Sequence, residues 1–205
     1  MSLAASLPLR CLALGDSYVL GEGVARAQCW PEQLAARLCA LGRLVAPVQI
    51  LAATGWSAAE LRSALRSQSL PPGFDRVWLA VGVNDQYRGL DLRAYARQFA
   101  GLLDHACALA GGQRCNVQVL SIPDWSVTPF AANDPRGRRA ISAAVARFNR
   151  VAQTCCRRRG IAFLEINACY RSRGADAAML AADGLHPSAA MYALWVEDIL
   201  ADARW

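Results

Sequence analysis

Five short apolar runs, each followed by a longer stretch with helical periodicity, constrain this chain more than any other feature. The runs are Leu9–Leu14, Pro47–Ala52, Phe74–Val81, Asn116–Ile122 and Ile161–Ile166. None alternates apolar with polar, so they predict strands buried on both faces. Between and after them, helices are expected over Trp30–Leu41, Ser57–Ser67, Asp91–Ala110, Pro135–Arg159 and Ser188–Ala203. Pro31 suits a first turn and Gly42 a stop, while Ser57 with Glu60 three residues on forms a capping box. Such alternation implies a parallel sheet covered by helices on both faces. We expect a three-layer α/β/α sandwich with a five-stranded, flavodoxin-like sheet, in one domain spanning residues 1–205.

The longest irregular stretch, Pro123–Asp134, contains Trp125 and Phe130 and is long enough to suggest a functional loop. In open parallel sheets ligands bind beyond the carboxyl ends of the strands. The segments to read first are therefore Gly15-Asp16-Ser17-Tyr18, Thr54-Gly55-Trp56-Ser57 and Gly82-Val83-Asn84-Asp85, then the 123–134 loop and Asp183-Gly184-Leu185-His186-Pro187.

Composition narrows the chemistry. All 22 basic residues are Arg, which excludes lysine Schiff bases and the P-loop lysine. With only two histidines, a multi-histidine metal site is excluded and any imidazole base must be His105 or His186. His105 lies within a helical pattern among Leu102, Leu103, Cys107 and Leu109 and reads as structural. The eight cysteines show no Cys-x-x-Cys pair and are expected to be buried free thiols. No apolar run reaches the roughly 20 residues of a membrane span, and Met1–Arg10 has no basic leader. A cytoplasmic location and a monomer are the default expectations. The net charge of +6 raises nucleic-acid binding. Most arginines look scattered, and the dense run Arg157-Arg158-Arg159 before Gly160 reads better as a helix C-terminus, so no nucleic-acid partner is expected.

Singly, Gly-Asp-Ser, Asn-Asp and Asp-x-x-His are weak signals, since each also fits a polar turn. Jointly they place a nucleophile, oxyanion donors and a base with its orienting acid at one end of the sheet. The chain resembles serine hydrolases of the SGNH (GDSL) family, whose blocks are met in order by Gly15-Asp16-Ser17, Gly55, Gly82-Val83-Asn84-Asp85 and Asp183-Gly184-Leu185-His186-Pro187. The family often has Asn two residues before the second-block glycine; here that residue is Ala53. No Gly-x-Ser-x-Gly elbow surrounds a plausible nucleophile.

The resemblance implies a Ser17 acyl-enzyme, His186 as base and acid, and Asp183 orienting His186. It also implies an oxyanion held by the Ser17 N–H, the Gly55 N–H and the Asn84 amide, without metal or cofactor. Gly55 is expected to permit a close backbone approach. The bulky residues flanking the blocks, Tyr18, Leu20, Trp56, Tyr87, Trp125 and Phe130, suggest an apolar acyl pocket of limited depth. The expected substrate is a small carboxylic ester or thioester of short to medium acyl length. Family alternatives are O-acetylesterase, lysophospholipase and acyl-CoA thioesterase. An inactive, ligand-binding hydrolase fold is the non-catalytic alternative.

Overall fold

The computed structural model describes residues 7–202. Its strands are β1 (Cys11–Gly15), β2 (Gln49–Ala52), β3 (Arg76–Ala80), β4 (Val117–Leu120) and β5 (Ala162–Leu164). Its helices are α1 (Ser17–Leu20), α2 (Trp30–Ala40), α3 (Ala58–Ser67), α4 (Val83–Tyr87), α5 (Leu92–Leu109), α6 (Arg138–Arg159), α7 (Asn167–Arg173) and α8 (Ala189–Asp202). The strands form one parallel sheet in the order β2-β1-β3-β4-β5, the doubly wound order expected from the sequence. Helices α2 and α8 pack together, as do α3 with α5 and α5 with α6, giving the layers that cover the sheet.

The apolar runs are longer than the hydrogen-bonded ladders because residues just beyond the strand ends are also buried. Phe74, Val81, Ile122, Ile161 and Ile166 all belong to the core although none lies in a strand. Full burial holds for β1 and nearly so for β3 and β4, whereas edge strands β2 and β5 are largely half-buried. Expected caps form as read: Ser57 and Glu60 close a capping box on α3, and Asp91 caps α5. Gly160 ends α6 in the left-handed conformation directly after the three arginines. The helix expected to reach Ala203 is described as far as Asp202; Ala203 lies outside the described residues.

The cysteine expectation needs correction. All eight thiols are free, but Cys39 and Cys115 are exposed and Cys107 and Cys169 half-buried; only Cys11, Cys29, Cys155 and Cys156 are buried. Cys39 lies near the outer end of α2 and Cys115 in the turn before β4, where the helical and strand patterns do not turn them inward. Among the described residues no helix is long and apolar enough to cross a membrane.

Register places the site. Gly15 pairs with Ala52 on one side and Ala80 on the other, so the three adjacent strands β2, β1 and β3 end level. Ser17, Gly55 and Asn84 follow those ends by two, three and four residues. A Cβ on Gly15 would meet the Ala80 carbonyl at 2.2 Å and Val19 at 2.3 Å, so α1 turns off β1 too tightly for any side chain there.

Candidate active site

Ser17 is the first residue of the one-turn helix α1, which Asp16 caps by accepting from the Tyr18 N–H at 3.1 Å. Ser17 Oγ lies 2.9 Å from His186 Nε2, and His186 Nδ1 lies 2.5 Å from Asp183 Oδ2. A carboxylate can only accept, so Nδ1 carries the proton and Nε2 accepts from the Ser17 hydroxyl. Asp183 Oδ1 also accepts from the backbone N–H groups of Leu185 and His186. Burial alone would raise the Asp183 carboxyl. The hydrogen bonds from the His186 ring and from those two N–H groups outweigh burial and hold it below the usual carboxylate range.

The Asp183–His186 turn is held from several sides. Ala181 N–H donates to the His186 carbonyl and Ser188 N–H to that of Met179, while Leu180 and Pro187 form an antiparallel bridge. The buried Tyr170 hydroxyl donates to the Leu185 carbonyl at 2.5 Å. His186 packs against the Tyr18 ring, with centroids 4.9 Å apart. His105 is elsewhere: its Nδ1 lies 2.7 Å from the Gly101 carbonyl within α5, the structural role expected of it.

Around the hydroxyl the polar groups fit an oxyanion. Neither the Ser17 nor the Gly55 backbone N–H donates to a protein acceptor among the described residues. Asn84, at the start of α4, directs its amide to the Trp56 carbonyl at 3.0 Å, which leaves one amide hydrogen over. Ser17, Gly55, Asn84 and His186 line the same cavity. Gly55 sits at φ +82°, a conformation that favours glycine, and among protein atoms a Cβ there would meet only Arg88 Nη2 at 3.7 Å.

The cavity measures about 180 Å³. Of the bulky residues singled out from sequence, Tyr18, Tyr87, Trp125 and Phe130 line it. Trp56 and Leu20 do not: Trp56 is half-buried against the core, and its contribution is the carbonyl that receives Asn84. Trp125 meets Tyr87 and Phe130 edge-on at 5.7 and 6.0 Å, and its indole N–H donates to Gln86 at 2.8 Å.

The 123–134 loop is thus a cavity wall, wound into two short 3₁₀ turns and tied down at both ends. Phe130 N–H donates to the Gly184 carbonyl, within the turn that carries Asp183 and His186. Asp124 accepts from Ser142, Ser126 and Arg171, and its own N–H donates to Asn167. Arg136 pairs with Asp134, donates to the Tyr87 carbonyl at 2.9 Å, and lies over the Tyr87 and Trp125 rings.

Sequence reading missed several residues that hold this site. Arg88 donates to the Gly55 carbonyl at 2.6 Å and pairs with Glu60 of the α3 capping box. Asp85 accepts from the Ala58 N–H at 2.8 Å, tying α4 to the start of α3. Asp16 and Asp85 are buried carboxyls inside the two motif blocks, and that position was their only signal. Gln86, Arg88, Arg136 and Tyr170 act across long sequence separations and had none. Among the described residues no three His, Cys, Asp or Glu side chains are grouped to hold a metal ion.

Residues 13–194 match the profile of the GDSL-like Lipase/Acylhydrolase family. No curated protein matches by sequence. Among solved structures the chain is similar to TesA, with 21% identity, TM-score 0.72, and 94% of this chain and 96% of that chain covered. It is similar to a mutant of Axe2, an acetyl-xylooligosaccharide esterase from Geobacillus Stearmophilus, with 18% identity, TM-score 0.73, and 97% and 96% covered. It is also similar to the lipase Lip_vut3 from a goat rumen metagenome, with 19% identity, TM-score 0.74, and 94% and 96% covered. At these identities the three likenesses establish the fold.

Proposed function

The chain belongs to the GDSL-like lipase/acylhydrolase family, a family of serine hydrolases, and on that premise we propose that it cleaves small carboxylic esters or thioesters through a Ser17 acyl-enzyme. The observation that carries this reading is the continuous chain Asp183–His186–Ser17, whose hydroxyl end opens into the aromatic cavity. As Ser17 Oγ bonds to the acyl carbon, its proton passes to His186 Nε2. Asp183 stabilises the imidazolium that forms and keeps the ring in place. The carbonyl oxygen becomes an oxyanion, met by the Ser17 N–H, the Gly55 N–H and the spare Asn84 hydrogen. Collapse breaks the bond to the leaving alcohol or thiol, which takes the proton from His186. Water then repeats the sequence on the acyl-enzyme and frees the acid and Ser17.

Cavity size supports short to medium acyl groups. A volume of about 180 Å³ is below the roughly 300–1,000 Å³ of sites for drug-sized ligands. Its walls, Tyr87, Trp125, Phe130 and Leu185, offer apolar surface to an acyl chain. The test is hydrolysis of a chain-length series of p-nitrophenyl esters and acyl-CoA thioesters by wild type and Ser17→Ala, with fluorophosphonate labelling beside it. Wild type should favour short chains and take the label, and Ser17→Ala should lose both activities. Equal rates in the two proteins would remove Ser17 from the chemistry, and a preference for long chains would remove the size argument.

A further inference from the structure

The positive charge of this chain is concentrated in two neighbouring helices. Helices α5 and α6 together carry nine arginines and one aspartate, a net +8 against +6 for the whole chain, so the remainder is net −2. Helix α6 itself holds seven arginines and no acidic residue. The lone aspartate, Asp104, is already paired with Arg159.

Between the two helices runs an open groove of about 410 Å³, more than twice the volume of the cavity at Ser17. Its apolar side is formed by Leu92 and Ala96 of α5 with Val151 and Cys155 of α6. Arg147, Arg150 and Arg158 line it as well, all exposed and none in a salt bridge among the described residues. From Arg147 to Arg158 the groove follows α6 for about 16 Å, or three turns.

We propose that the α5–α6 groove docks an acidic amphipathic helix of a partner protein, with its apolar edge on Leu92, Ala96, Val151 and Cys155 and its carboxylates on Arg147, Arg150 and Arg158. A groove between two helices accepts a third, and the anchors of such a helix recur at i, i+3, i+4 and i+7 over about this length. The charge rim selects the sign of the partner, and the apolar lining selects its amphipathicity. A bilayer surface would need apolar side chains that protrude. None of the exposed large apolar residues lines the groove, and Tyr87 and Phe130 line the Ser17 cavity instead. A nucleic-acid strand would need rings for stacking, and no aromatic residue lines the groove.

The test uses a labelled helical peptide of about 18 residues, with Leu at the i, i+3, i+4, i+7 positions and Glu on the flanks, read by fluorescence anisotropy. A scrambled peptide of the same composition is the comparison. The patterned peptide should bind roughly tenfold tighter or more. R147E/R150E/R158E should reduce it to the scrambled level, whereas R157E, an exposed arginine of α6 outside the groove, should change it by less than about twofold. A96W fills the apolar side and leaves every charge in place, so it too should lose the patterned peptide. Ester hydrolysis and the thermal midpoint report folding in each variant, and A96W keeps the test if the triple reversal does not fold. Equal binding of the two peptides overturns the proposal. So does full binding by A96W, or tighter binding of phosphatidylglycerol vesicles or single-stranded DNA to the same arginines.

Discussion

Asp16 puts a carboxyl beside the nucleophile and out of reach of water, and the consequence is measurable. It is 2% exposed. Burial pushes its pKa from 3.8 up to about 7; the Tyr18 and Gly82 N–H groups oppose that rise and the Asp85 charge adds to it. A group whose pKa is higher in the folded than in the unfolded state stabilises the fold at low pH. That stability is lost as pH rises through the folded value, because the unfolded chain then binds fewer protons. At 1.36 kcal/mol per unit, a rise from 3.8 to about 7 sets a ceiling near 4 kcal/mol. Between about pH 5.5 and pH 8.5 the same linkage removes about 2 kcal/mol. That is a large share of the ~5–15 kcal/mol typical of folded domains, and equals a fall in Tm of about 4–8 °C for a chain of this size.

Asp16→Asn isolates the effect. Asn is as good an N-cap as Asp and keeps an acceptor for the Tyr18 N–H, but it does not titrate. Urea unfolding of both proteins at the two pH values gives a difference in which other titrating groups largely cancel. Wild type should lose about 2 kcal/mol more than Asp16→Asn on going to the higher pH. Parallel pH profiles would refute the reasoning, since they would mean that the buried carboxyl is no harder to ionise than an exposed one.

Three further outcomes follow from the site. Asn84→Ala removes the spare amide donor and should lower kcat by about 10²–10³, roughly 3–4 kcal/mol, with KM little changed; an unchanged kcat would take Asn84 out of the oxyanion hole. Arg88→Ala removes the bond to the Gly55 carbonyl. Because Arg88 is partly exposed, its ion pair with Glu60 contributes under about 1 kcal/mol to stability. The expected result is therefore a kcat lower by about tenfold at nearly unchanged Tm, partly restored by Arg88→Lys, and equal losses in kcat and stability would refute it. Phe130→Ala opens the cavity wall at a residue 43% exposed. It should shift the preferred ester toward longer acyl chains while costing under about 1 kcal/mol of stability, and an identical chain-length profile would count against Phe130 as a boundary of the acyl site.

The layers of this fold are legible in the sequence because they rest on local periodicity. Five apolar runs become five strands, and every helix of ten residues or more falls where the 3.6-residue pattern puts it. The short helices α1, α4 and α7 leave no such trace. They span four, five and seven residues, too few for an apolar stripe to repeat. Seven arginines within 138–159 are legible in the sequence, but the groove they rim is not, because Leu92 and Ala96 lie about sixty residues from Val151 and Cys155 and only the packing of α5 on α6 brings them together.

The same division runs through the site itself. Ser17, Asn84 and His186 could be singled out because each follows an element at the correct end of the sheet, and His186 because only one other histidine competed. Gly55 is the revealing case. The Asn that relatives often carry two residues ahead of it is Ala53 here, so nothing adjacent in sequence explains how a loop with φ +82° is held at the cavity. In the structure that support comes from α4. Asn84 holds the Trp56 carbonyl, Arg88 holds the Gly55 carbonyl, and Asp85 holds the Ala58 N–H at the end of the same loop. Three residues of five consecutive positions thus clamp a loop about thirty residues earlier in the chain. The local support absent at Ala53 is supplied by the element that also carries the Asn84 donor. Any displacement of α4 should therefore move the Gly55 loop and the Asn84 amide together.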